Sequence, residues 1–120
     1  MSENITELQD RYLKFISDRN WKGFHTPKNL TMAISVEASE LMELYQWKDN
    51  VPTEQIKSDE DLVERTQEEL ADTMIYCLSL ANELGIDVEA AIADKLKANE
   101  ERFDLETADA IASDLGEWQR

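Results

Sequence analysis

Residues 69–85 read ELADTMIYCLSLANELG. Leu70, Met74, Cys77, Ala81 and Leu84 recur three or four residues apart, the spacing of a single helix face. Gly85 follows the last of them, where a helix most readily ends on a left-handed residue. Upstream, Ser58 with Asp61 three residues on, and acidic side chains at 59–61, suit a helix N-terminus. The spacing therefore predicts a helix over about 59–84, the longest in the chain. Asp87 can cap a following helix over 87–103, with Val88, Ala91, Ile92, Leu96 and Phe103 on its apolar face. The short connection between them makes the two antiparallel neighbours.

Working back toward the N-terminus, Leu30, Ala33, Ile34, Leu41, Leu44 and Tyr45 mark a helix over about 28–47, with Pro27 suited to its first turn. Asn4 and Glu7 have capping-box spacing, and Ile5, Leu8, Tyr12, Phe15 and Ile16 follow at helical period, so a first helix should run over about 4–19. Gly23 and Pro27, among Trp21, Phe24 and His25, place a loop over 20–29, and residues 48–58 read as a polar connection. The expected fold is all-α, a four-helix bundle in one domain over 1–103. Residues 104–120 are either a short helix through Ala108, Ile111 and Leu115 or a loosely held tail.

Three glycines and two prolines in 120 residues suit a few long helices and argue against a chain of hairpins. A formal charge of −15 repels nucleic-acid backbones, which excludes a polymer-binding role. A free nucleotide is an anion too, and could be held only where cations and a few basic side chains reverse the local field. The single cysteine, Cys77, has no partner for a disulfide and fits a reducing compartment. Met1 to Leu8 lacks signal-peptide order, and no apolar run approaches membrane-spanning length, so a cytoplasmic protein is expected.

The informative side chains are charges in places where hydrophobes belong. Glu37 lies three residues after Ile34 and four before Leu41, and Glu40 stands one turn on. Glu69, Asp72 and Tyr76 repeat the pattern beside Leu70, Met74 and Cys77. Glu43, Glu64, Glu68 and Glu83 read as solvated faces. Four acids converging between two helices repel one another, and a divalent cation removes the conflict; hard carboxylate ligands select Mg²⁺, with Mn²⁺ as the alternative. Lys95, Asn99 and Arg102 fall along one side of the 87–103 helix, where they could meet phosphates or, instead, pair with Glu69 or Asp72. Trp21, His25, Trp47 and Tyr76 offer planes on which a base can stack.

Two other classes fit parts of this pattern. A di-iron bundle gathers helical acids but needs Glu-x-x-His pairs, and the one histidine here is in a loop. A non-enzymatic acidic module that binds a protein partner through an apolar groove would need no metal.

Arg19-Asn20-Trp21, Phe24-His25-Thr26-Pro27-Lys28-Asn29-Leu30, Val36-Glu37-Ala38-Ser39-Glu40-Leu41, Gln46-Trp47, Glu68-Glu69-Leu70-Ala71-Asp72 with Ile75-Tyr76, and Lys95, Asn99 and Arg102 together give a further reading. In that order they resemble the MazG-like all-α nucleotide pyrophosphatases, closest to the dCTP pyrophosphatase branch. The resemblance covers about residues 12–103. It implies Mg²⁺-dependent hydrolysis of a nucleoside triphosphate, dCTP or a related pyrimidine, to monophosphate and pyrophosphate. Glu37, Glu40, Glu69 and Asp72 would be the metal ligands, with Glu37 or Glu40 also acting on water. Trp21, His25, Trp47, Tyr76 and Asn99 would surround base and sugar, and Lys95 and Arg102 would meet the phosphates. Many members carry a further acid where this chain has Val36, and the dCTP branch lacks it. The branch also implies a homotetramer built from dimers.

Overall fold

The computed structural model describes residues 2–118, and the described residues form helices joined by turns: α1 (Ile5–Asp18), α2 (Pro27–Glu43), α3 (Thr53–Lys57), α4 (Glu60–Glu83), α5 (Val88–Arg102) and α6 (Leu105–Trp118), with one 3-10 turn at Lys22–Phe24. The chain divides into two compact units, Met1–Ile86 and Asp87–Arg120. In the first, α4 packs chiefly against α2 and also against α1 and α3. Its core is small: Ile16, Leu30, Leu62 and Ala81 are its buried hydrophobic side chains. No helix of the described residues is long and apolar enough to cross a membrane.

The helix ends follow from local chemistry. Asn4 Oδ1 accepts from the Glu7 amide at 2.8 Å, Thr26 Oγ1 from Asn29 at 3.2 Å and Asp59 Oδ1 from Leu62 at 3.1 Å, each satisfying an amide that the first turn leaves free. At the other end of α4, Gly85 takes φ 66°, and the amides of Gly85 and Ile86 bond back to Asn82 and Ala81. This is a Schellman stop. α1 ends the same way without glycine: Asn20 sits at φ 60°, with its amide on the Ser17 carbonyl and the Trp21 amide on the Ile16 carbonyl at 2.8 Å. Asparagine tolerates this region better than other non-glycine residues. The reversal there turns the chain straight into the Trp21–His25 loop.

Two features differ from the sequence expectation, and a third decides between alternatives it left open. α2 stops at Glu43 instead of running to 47, and the next amides, Leu44 and Tyr45, bond to carbonyls three residues back as the turn tightens. Tyr45 spends its hydroxyl on Thr66 of α4; Thr66 Oγ1 donates to the Leu62 carbonyl, so Tyr45 is the donor in that pair. The polar connection at 48–58 contains α3, whose single turn is too short to show a period. Half-buried Ile56 faces inward from it. Residues 105–118 form α6, so the helical alternative holds over the described part, while positions 119–120 lie outside the described residues. Asp104 starts that helix by accepting the Thr107 amide at 2.8 Å, a bond that lowers its carboxyl pKa.

Candidate active site

α2 and α4 run antiparallel, since Tyr45 meets Thr66 while Glu37, eight residues earlier, meets Glu69 further along. One carboxylate oxygen from each of Glu37, Glu40 and Glu69 lies within 4.8 Å of the others. Glu37 and Glu69 are half-buried and Glu40 is exposed, so the cluster is dry at its base and open at its rim. Asp72 lies outside this triad, yet its charge reaches both Glu37 and Glu69. Burial, then Glu40, then Asp72 and Glu69 push the Glu37 carboxyl from the ordinary 4.5 up to about 7. Burial, with Glu40 and Asp72 next, raises Glu69 as well. In both, removal from water and like charge act in the same direction.

Glu37 Oε2 and Glu69 Oε2 are buried and have no hydrogen-bond partner. The ion pairs among the described residues are all elsewhere: Arg11–Glu3, Lys14–Asp18, Lys57–Glu54 and Arg65–Asp61. Two orphaned carboxylate oxygens with no protein cation beside them call for a charge of opposite sign. Oxygens on opposite sides of a Mg²⁺ ion bound at about 2.1 Å are about 4.2 Å apart, so the triad needs only small side-chain rotations to close on one. The residues present fit a divalent cation.

The aromatic residues fall into separate places. Trp21 packs edge-on against Phe15, with ring centroids 5.7 Å apart. His25 turns Nδ1 to the Trp21 carbonyl and Nε2 to the Tyr12 hydroxyl, each at 3.0 Å. Tyr76 is half-buried on α4, near enough to Tyr12 that the two phenols influence each other. Trp47 is 90% exposed and stands beside a hollow of about 360 Å³ bordered by Val51, Ile56 and Leu62, apart from the Trp21–His25 pair. Lys95, Asn99 and Arg102 belong to the second unit, along α5; Lys95 and Arg102 are exposed, and half-buried Asn99 accepts the Phe103 amide that closes the helix.

Tyr12 and Ser79 were not among the site residues read from the sequence. Tyr12 counted there only as part of an apolar stripe, but a tyrosine on a buried face must find a partner for its hydroxyl, and that requirement was legible. Ser79 is buried with Oγ unpaired. It stands three residues after Tyr76 and seven after Asp72, on the same line of α4 that carries Glu69.

The family follows from the sequence as a whole. Residues 32–118 match the MazG-like family. The chain belongs to that family. Among curated MazG-like relatives, dCTP pyrophosphatase 1 of Mus musculus is 34% identical over 100 residues, covering 82% of this chain and 58% of its own length. Its Homo sapiens counterpart is 35% identical over 100 residues, with coverage of 82% and 58%. The chain thus spans less than three-fifths of the length of these curated relatives. The crystal structure of a pyrophosphatase from Archaeoglobus fulgidus superposes with a TM-score of 0.76 at 34% identity, covering 87% of this chain and 95% of that one. The all-α MazG-like fold expected from the motifs is the fold observed, and the relatives lie on the dCTP pyrophosphatase side of the family.

Proposed function

We propose that this MazG-like chain hydrolyses a nucleoside triphosphate, dCTP or a related pyrimidine nucleotide, to the monophosphate and pyrophosphate, with Mg²⁺ as cofactor and Mn²⁺ as a substitute. The observation that carries the proposal is the carboxylate triad of two helices, 4.8 Å across at most, with two buried oxygens left without partners. A binding module has no use for so much uncompensated charge at a helix interface.

In this reading Glu37, Glu40, Glu69 and Asp72 hold the ion. When bound, it would neutralise negative charge on the triphosphate and make water a better nucleophile. Glu37 or Glu40, whichever keeps an oxygen free of ligation, takes the proton from the attacking water as the bond between the α- and β-phosphates breaks. Trp21, His25 and Tyr76 would meet base and sugar, and Trp47, Asn99, Lys95 and Arg102 are assigned to the same substrate by side-chain chemistry alone: an indole plane and an amide for base and sugar, two cations for the phosphates. The A. fulgidus and mammalian relatives, by their names, support a pyrophosphatase, and the mammalian ones support dCTP.

A panel of ribo- and deoxynucleoside triphosphates, assayed for pyrophosphate against orthophosphate with Mg²⁺, Mn²⁺ or chelator, tests this. The expected product is pyrophosphate, dCTP is turned over fastest, and chelation stops the reaction. Orthophosphate as the product, or turnover in chelator, would sink the proposal.

The same reading includes a homotetramer assembled from dimers. Met32, Val36 and Met42 on α2, and Leu70 and Met74 on α4, are each 46% or more exposed. Monomeric proteins rarely leave so many large apolar groups on the helices that form their core. Light scattering coupled to size exclusion should give four times the chain mass of 13.8 kDa, and a stable monomer at assay concentration would refute the tetramer.

A further inference from the structure

The ring of His25 is bonded at both nitrogens. Nδ1 lies 3.0 Å from the Trp21 carbonyl, which has no proton to give, so Nδ1 must carry the hydrogen. That carbonyl also accepts the Phe24 amide at 3.0 Å, which ties the ring to the 3-10 turn. In a neutral imidazole Nε2 is then bare and can only accept. The Tyr12 hydroxyl, 3.0 Å away, is the donor that meets it. Tyr12 itself is half-buried, its ring held by stacking on Phe15 at 5.7 Å and tilted 59° to the imidazole, with Ser79 the other side chain close to its hydroxyl.

We infer that Tyr12 is a positioning residue that locks His25 as the Nδ1–H tautomer, so that His25 meets a substrate base with its ring face or carbon edge and not with a ring nitrogen. The consequence is specific. With both nitrogens committed inside the protein, His25 serves neither as a general base nor as a hydrogen-bond reader of the base; discrimination by hydrogen bonding must come from other groups. The bond also links α1 to the loop after it, across 13 residues, and so sets the angle at which His25 and Trp21 are presented together. The part concerning substrate rests on the function proposed above, whereas the tautomer is a property of the chain alone.

His25 is the only histidine, so its imidazole signals need no assignment. Long-range ¹H–¹⁵N correlation on the uniformly labelled full chain at pH 8 should show a protonated Nδ1 and a bare Nε2, the reverse of the tautomer an unconstrained histidine prefers. Contacts between the Tyr12 and His25 ring protons should appear in the same sample. Tyr12→Phe removes the donor to Nε2 and leaves the Trp21 carbonyl alone to hold Nδ1–H, so the ring should shift from a single tautomer to a mixture that includes the Nε2–H form. With the best triphosphate it should raise KM about fivefold, the size of one lost hydrogen bond, with kcat unchanged within about twofold. A wild-type ring in the Nε2–H form overturns the inference even if the variant fails to fold, and so does a Tyr12→Phe spectrum identical to wild type. A fall in kcat at constant KM would overturn the role given to the ring. Absence of turnover with every triphosphate would leave the tautomer result standing and refute only the proposed activity.

Discussion

Glu69→Gln is expected to reduce Mg²⁺-dependent turnover by at least ~100-fold, since even residues that only support a metal ligand cost about 10–100-fold when replaced. Its second effect has the opposite sign. Glu69 sits with a buried unpaired oxygen beside Glu37 and Glu40, its pKa raised by burial and then by Glu40 and Asp72. An amide in its place removes one of the repelling charges and can donate to the acids that remain. The variant should therefore melt at a higher temperature than the parent in chelator, and gain less from added Mg²⁺. Activity assays and thermal melts with and without Mg²⁺ read both effects on the same samples. Full turnover in the variant, or an equal Mg²⁺-induced gain in melting temperature, would remove Glu69 from the metal centre.

Proton binding at Glu37 gives the other large effect. Its carboxyl ionises near 7 in the folded chain against an ordinary 4.5. Between those values the folded state holds a proton that the unfolded state has released, so the slope of stability with pH is negative. Without metal, this residue's contribution is favourable below pH 4.5, declines as pH rises toward about 7, and is constant above that. Mg²⁺ competes with the same proton. Apparent affinity for the ion should therefore rise with pH through this interval, and calorimetry in buffers of different ionisation enthalpy should detect proton release near pH 6. In Glu37→Gln the metal-free melting temperature should lose this component of its pH dependence. A variant whose pH profile parallels that of the parent would show that Glu37 does not titrate as described.

Much of this architecture is written locally. The cap at Asn4 and the stop at Gly85 each involve residues within a few positions of one another and were readable from spacing. Pro27, by contrast, marked the start of α2 without its Thr26 cap. α4 is capped by Asp59, one residue after the Ser58 that the spacing favoured, whose hydroxyl donates to the Gln55 carbonyl instead. α3 was not readable, because five residues make barely one turn and their order depends on Val51 and Ile56 lying against the rest of the unit. The early end of α2 was hidden for a similar reason. Leu44 and Tyr45 keep helical spacing in the sequence, but Tyr45 is drawn to Thr66, 21 residues away, and the backbone tightens around that bond.

The site divides in the same way. That Glu37 and Glu40 share one face of a helix, and Glu69 and Asp72 one face of another, follows from 3.6 residues per turn and needs nothing beyond the chain order. Which of those acids actually crowd together depends on how α2 slides and rotates against α4, and that register brings Glu37, Glu40 and Glu69 within 4.8 Å while Asp72 acts from just outside. His25 could be singled out by its position in an aromatic loop, yet its tautomer depends on a phenol from the preceding helix and a carbonyl four residues back. Helical period is a short-range property of the backbone, so it is legible in sequence. Packing register and the pairing of polar groups across helices depend on where distant side chains meet, and only the folded structure decides that.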